Sequence, residues 1–427
     1  MNRVTALIRQ HNSVVVANVV ARLGALASLG VSTLLVARVG GPSAVGVYAL
    51  LRVLPGLVGV LISAGLPGAV TYFLAGPLGD GRRGRQLRPT ILAIATAGGA
   101  AGTLLWVAAS PLLTRVFFRD LAVGLVAWAG VTVLTQLFVA TVKSCFQGSH
   151  DLRGANLVIL LEELMFLPAY AAIVLLGVHG FAAIVAGLLL ADIATAVPAW
   201  LRLGRRGFFD AFGTPSLWIA RQMTSYGIRG QIGGVMLLLN LRLDFAILGA
   251  LAGADVLGTY AIASKFAELL KLPGMAFTYV LYPRFTREGA RAAAATAREM
   301  MPRATAVTMV AALPLALAAG TLLPIIYGEA FRPAIVPAYI LLVGLAPEGL
   351  AGVATAFLYG SGRPGLNSLG MGVAVAVTVA LDLLLIPRFG ATGAAVASTS
   401  AYLTSTAVLA VCYVMVIRSQ RLQDEVA

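Results

Sequence analysis

The chain has 427 residues, 59% of them hydrophobic and 11% charged, with a mean hydropathy of +0.91. Apolar runs of about twenty residues recur from end to end, which excludes a soluble globular domain and defines a polytopic membrane protein. The net charge of +14 lies mainly in the segments between those runs, so it reports topology and not nucleic-acid binding.

Twelve candidate spans follow in chain order: roughly residues 14–38, 44–76, 90–112, 121–145, 155–177, 180–201, 225–250, 256–282, 304–327, 334–359, 367–387 and 391–417. Each is about long enough to cross ~30 Å of hydrocarbon. Interruption by Gly and Pro, in place of alternating segments, favours helices over a barrel. The first run begins near Val14 with no clear cleavage site after it and reads as a retained span. Cys145 and Cys412 are far apart and belong to no metal-ligand pattern.

Cations alternate between linkers. The N-terminus (Arg3, Arg9), the even-numbered linkers (Arg82, Arg83, Arg85, Arg88; Arg153; Arg205, Arg206, Arg221; Arg284, Arg287, Arg291, Arg298) and the tail (Arg418, Arg421) are basic. The positive-inside rule therefore places both termini in the cytoplasm. The stretches Arg287 to Met301 and Ser216 to Met223 are expected as short helices on the membrane surface.

The chain repeats itself. Val45-Gly46-Val47-Tyr48-Ala49 matches Leu257-Gly258-Thr259-Tyr260-Ala261 at an offset of 212, and Gly148-Ser149 matches Gly360-Ser361 at the same offset. Pro111, Phe118 and Gly180 match Pro324, Phe331 and Gly393 at 213, whereas Leu66-Pro67-Gly68 matches Leu272-Pro273-Gly274 at 206. The expected architecture is all-α, with two six-helix halves, 1–213 and 214–427. An even number of spans per half inserts both in one direction, which implies a pseudo-two-fold axis along the membrane normal and a binding site between the halves near the midplane.

Ionised side chains within spans cost on the order of 2.5–3.5 kcal/mol each, so they are paired or line water. Asn18 and Arg22 share a face of the first span, Arg229, Asn240 and more loosely Asp244 share one of the seventh, and Arg242 points elsewhere. Arg52 and Lys265 follow Tyr48 and Tyr260 at nearly equivalent positions. The candidate substrate-binding set is Asn18, Arg22, Arg52, Arg229, Asn240, Arg242 and Lys265, read as a cationic cavity. The alternative is local pairing, Asp244 with Lys265 and Glu268 with Lys265 or Lys271. Glu162, Glu163, Asp244 and Asp382 are candidates for ion coupling, against the alternative of paired structural carboxylates. With no P-loop, no HExxH and only three histidines, the chain is expected to be a transporter and not an enzyme, with no cofactor and no metal.

The stretches LLVARVGGPSAVGVYALLRVL (from Leu34), LNLRLDFAILGALAGADVLGTYAIA (ending at Ala263), LYPRFTRE (from Leu281) and IPRFGATGAAVAS (from Ile386) carry a resemblance along the whole chain. It resembles the polysaccharide-type flippases of the multidrug/oligosaccharidyl-lipid/polysaccharide (MOP) exporter superfamily. The resemblance implies a V-shaped, alternating-access transporter in a bacterial or archaeal cytoplasmic membrane. It would move a polyprenyl-pyrophosphate-linked oligosaccharide from the inner to the outer leaflet, with Arg22, Arg52, Arg229 and Arg242 on the pyrophosphate. Protons, sodium or membrane potential would drive it. Its expected partners are the lipid-linked glycan, membrane lipids and glycan polymerase or synthesis enzymes, with no nucleic acid. The alternatives are a multidrug or organic-cation antiporter, a lipid II flippase, from which twelve spans depart, and a non-transporting scaffold for glycan synthesis.

Overall fold

Two glycines 212 residues apart, Gly41 and Gly253, turn the chain between consecutive helices in backbone conformations open to glycine (φ 69°, ψ −166° and φ 89°, ψ 175°). They stand just before the paired Val45 to Ala49 and Leu257 to Ala261 motifs, so the duplication is present in the backbone as well as in the sequence. The structure, a computed structural model, describes residues 2–76, 81–210 and 213–426; the side chains at 2–16, 19, 81–82, 232–238, 240–241, 290 and 420–426 lie outside the description.

Every regular element described is helical: α1 (Asn2–Ser63), α2 (Leu66–Ala75), α3 (Gly81–Val116), α4 (Val123–Ala129), α5 (Val131–Gly148), α6 (Leu152–Leu164), α7 (Phe166–Leu175), α8 (Gly180–Arg205), α9 (Leu217–Ala252), α10 (Ala254–Ala267), α11 (Lys271–Arg287), α12 (Ala290–Tyr327), α13 (Ile335–Leu345), α14 (Glu348–Gly360) and α15 (Pro364–Val426), with two short 3-10 turns. Among the described residues, seven helices are long and apolar enough to cross a membrane, or eight when the pair bent by 42° at Leu345–Glu348 counts as one span. Two of the seven, Val20–Ser63 with 44 residues and Pro364–Ser419 with 56, far exceed one crossing of ~20 residues, and each contains a non-helical glycine, Gly41 or Gly390. Split there, and with α9 and the α10–α11 pair added, the helices give the twelve expected spans.

The caps repeat as well. Ser149 and Ser361 end α5 and α14 with N–H bonds to Cys145 and Phe357, and the next residues, His150 (φ 57°) and Gly362 (φ 70°), are both left-handed. Asp151 and Arg363 then donate N–H bonds to Phe146 and Leu358. All these pairs keep the offset of 212. The divergent 206 also has a structural cause. The second span breaks at Ala64 and Gly65 (φ 48° and 72°) and the eighth at the 3-10 turn Glu268–Leu270, and each Leu-Pro-Gly follows its break. The helical segment before the break is shorter in the second half, so the offset falls there.

The chain forms two compact units, Met1–Gly40 with Leu50–Val235, and Gly41–Ala49 with Met236–Ala427. In the first, a core of Leu87, Ile91, Phe146, Phe208, Ile219 and Met223 is closed by the linker after α8. Arg88 donates to the Gly207 and Phe208 carbonyls (3.2 and 3.1 Å) and lies over the Phe208 ring, Gly213 N–H bonds to Arg85 O (2.7 Å), and Ser216 N–H to Thr90 Oγ1 (2.9 Å). In the second, Phe285, Phe357 and Tyr413 form the centre of the core. The two stretches expected as separate surface helices are corrected here: Leu217 to Met223 opens α9 and Ala290 to Met301 opens α12, both continuous with spans. Burial of Ile219 and Met223 explains the first, since these side chains point into the core and not onto a membrane surface.

Candidate functional site

In the first unit the i, i+4 spacing of Asn18 and Arg22 is realised as a hydrogen bond, Arg22 Nε to Asn18 Oδ1 at 2.9 Å. Asn18 in turn donates to Oδ1 of Asn156 on α6 at 2.6 Å. Asn156 is buried, so it fixes the amide that fixes the guanidinium. Arg22 is exposed and, among the described residues, meets no carboxylate. Thr33, further along α1, is buried and bonds back to the Leu29 carbonyl.

Arg52 is placed differently. Its guanidinium meets Glu163 of α6 at 2.6 Å, with both side chains mostly buried. Lys143 of α5 pairs with Glu162 at 2.7 Å, and Asp192 of α8 accepts a hydrogen bond from Thr135. Arg52, Gln136 and Glu162 line a cavity of about 220 Å³ with Gly56, Gly59 and Ser63. The small residues on one face of the second span leave the space, and Pro55 removes one backbone donor beside it. The cavity lining is thus balanced in charge, with one cation, Arg52, and one carboxylate, Glu162. Glu163 Oε2 is buried without a hydrogen-bond partner among the described residues.

Arg229 lies on the part of α9 that belongs to the first unit. Its Nε and one terminal nitrogen bond to Ser225 O and Oγ at 3.1 and 2.8 Å, and among the described residues no carboxylate pairs with it. Beside it Tyr72 of α2 and Tyr226 of α9 stack at 4.2 Å with ring planes 16° apart.

In the second unit, Asp244 is buried and receives the Tyr260 hydroxyl at 2.7 Å and the Phe245 N–H at 2.9 Å. Tyr260 Oη also contacts Ser398 Oγ at 2.9 Å, tying α9, α10 and α15 together. Asp382 on α15 is completely buried in electrostatic range of Asp244, and neither of its oxygens has a hydrogen-bond partner among the described residues. Lys265 lies over the Tyr48 ring at 5.8 Å, and Arg242 over the Phe245 ring at 5.4 Å. Glu268 meets Lys271 at 3.5 Å, one of the two pairings open to it in the sequence. The side chain of Asn240 lies outside the described residues.

The structure therefore joins Asn18 to Arg22 and Arg52 to Glu163, and sets Asp244 in electrostatic range of Asp382 and Arg242. Sequence reasoning passed over Asn156, Lys143, Tyr260 as a hydrogen-bond donor, and Ser398. Only the recurrence of Tyr260 in the repeat pointed to any of them.

A search of curated proteins finds none that matches the chain. Among solved structures the fold matches a lipid II flippase, MurJ, in an inward closed conformation, at 11% identity over 93% of this chain and 86% of that one, with a TM-score of 0.72. It also matches an inward-facing multidrug resistance MATE family transporter of the MOP superfamily (14% identity, 95% and 98% covered, TM-score 0.71) and the Vibrio cholerae MATE transporter VcmN in its bent form (12%, 99% and 99%, TM-score 0.58). The chain has the fold of these transporters. A family model described as polysaccharide biosynthesis protein matches residues 12–289, and on that match, which takes in well over half of its length, the chain belongs to the polysaccharide biosynthesis protein family.

Proposed function

We propose that this protein flips a polyprenyl-pyrophosphate-linked oligosaccharide from the inner to the outer leaflet of a bacterial or archaeal cytoplasmic membrane by alternating access, both termini being cytoplasmic. The observation that carries the reading is the contrast among the arginines. Arg22 and Arg229 are exposed, held by neutral oxygens and free of carboxylates among the described residues, whereas Arg52 is matched by Glu163. Guanidinium groups fixed in this way, with donors to spare, suit a phosphate. They disfavour organic cations, which supports the glycan substrate over the multidrug alternative. The duplicated halves 1–213 and 214–427 are the proposed repeats of the cycle, and glycan polymerase or synthesis enzymes are the proposed partners.

Coupling is assigned to Asp382 and Asp244. A buried Asp382 carboxylate without a hydrogen-bond partner among the described residues, in electrostatic range of the buried Asp244, supports a proton or a monovalent cation held there. Mass spectrometry of lipid that co-purifies with the protein tests the substrate class. A polyprenyl-pyrophosphate glycan in the unaltered protein, depleted in Arg22→Ala/Arg229→Ala, supports the reading; phospholipid alone in both contradicts it.

A further inference from the structure

At the end of the first unit that the positive-inside rule assigns to the cytoplasm, a cavity of about 540 Å³ is lined by Tyr72, Phe73, Gln222, Tyr226, Arg229 and Gly230. That size lies in the range of ordinary small-molecule sites. Tyr72 and Tyr226 remain 55% and 39% exposed although they stack on each other, and Phe73 meets both rings edge-on at 5.2 and 5.7 Å. The pair is held in place from behind. One step into the membrane, Gly65 and Gly227 bring the two helices so close that a Cβ on either would fall 2.2 Å from a carbonyl oxygen of the other. Gln231 donates to the Val60 carbonyl one further turn in.

We propose that this cavity is a subsite for a pyranose joined to phosphate, with Arg229 on the phosphate and the tyrosine stack on the sugar. The assignment rests on the lipid-linked glycan reading above and names the part of the substrate read here. An aromatic face packs against the C–H face of a pyranose, while the tyrosine hydroxyls and the Gln222 amide offer donors and acceptors to the ring hydroxyls. With the two rings 4.2 Å apart, nothing inserts between them, so the sugar lies across their exposed faces. Ser225 fixes the guanidinium through two bonds, which leaves further N–H donors for phosphate oxygens. Tyrosines that merely sit at the headgroup level need neither a mutual stack between helices nor an oriented arginine beside them.

The test is binding to the purified full-length protein of two soluble probes, farnesyl pyrophosphate and farnesyl-pyrophosphoryl-N-acetylglucosamine. The unaltered protein is expected to bind the sugar-bearing probe at least about fivefold more tightly, the equivalent of roughly one aromatic contact. Tyr72→Leu/Tyr226→Leu should lose that advantage while keeping its affinity for farnesyl pyrophosphate, and Arg229→Ala should weaken both probes. Tyr72→Phe/Tyr226→Phe keeps the stacked faces and should retain most of the advantage; if the leucine pair does not purify as a monodisperse protein, the single exposed change Tyr72→Leu serves in its place. A sugar advantage that survives loss of the stack, or none in the unaltered protein, overturns the subsite and leaves the flippase reading standing. If neither probe binds the unaltered protein, the lipid-linked substrate itself is wrong, and the subsite falls with it.

Discussion

Gly46 and Gly258 make the same contact on each other's helix. A Cβ on Gly46 would lie 1.8 Å from the Ala254 carbonyl oxygen, and one on Gly258 would lie 1.8 Å from that of Pro42; the two glycines and the two carbonyl residues are each 212 positions apart. Within the second unit the start of the second span and the start of the eighth therefore cross at backbone distance, with Tyr48 and Tyr260 buried beside the crossing. The duplicated Gly-x-Tyr motif is the sequence form of this contact.

Because backbone cannot yield as a side-chain end can, Gly46→Val or Gly258→Val should each destabilise by about 1–3 kcal/mol or more. The two changes act on one crossing, so the double variant should cost less than their sum. Thermal unfolding of the purified protein checks this; fully additive effects would mean that the two contacts are independent.

Asn156 positions Arg22 through Asn18. Replacing Asn156 by Leu strands a half-buried Asn18 donor, at about 1 kcal/mol, and frees the guanidinium. Transport should fall several-fold in Asn156→Leu. In an Asn18→Leu background the second change should add little. An additional, independent loss would show that Asn156 does not act through Asn18.

Arg52 and Glu163 form a mostly buried pair, so Arg52→Ala leaves a carboxylate uncompensated and should cost about 2 kcal/mol or more after allowing for partial solvation. Arg52→Ala/Glu163→Ala should recover stability and part of transport. Recovered stability with transport still absent would place Arg52 on the substrate instead.

Among the described residues Asp382 has no hydrogen-bonding partner to lose, so Asp382→Asn should be neutral or stabilising toward heat. Transport in that variant should lose its dependence on an imposed proton or sodium gradient. Retained dependence would remove Asp382 from coupling.

Much of the fold was legible because the membrane makes length and hydropathy decisive. The twelve runs appear as helices once Gly41 and Gly390 are recognised as breaks, and the repeat was visible in Gly-x-Tyr-Ala and Gly-Ser, whose geometries recur. What misled was amphipathic charge: the segments near Trp218 and Arg291 looked like surface helices, but a helix does not end where the membrane does, and α9 and α12 run on through. Local pairs such as Asn18 with Arg22 and Glu268 with Lys271 follow from helical spacing. Arg52 with Glu163, 111 positions apart, and Asn18 with Asn156, 138 apart, depend on which spans pack together, and no periodicity within one span contains that information. The cationic cavity read from sequence includes Arg52 without naming Glu163 as its partner for this reason.

The most direct measurement is leaflet translocation of a fluorescent polyprenyl-pyrophosphate-linked oligosaccharide in vesicles reconstituted with the purified protein. Rapid translocation by the unaltered protein and a loss of at least about tenfold in Arg22→Ala/Arg229→Ala is the predicted result, corresponding to ~1.4 kcal/mol or more of lost charge-assisted binding. Equal translocation by both proteins would contradict the account.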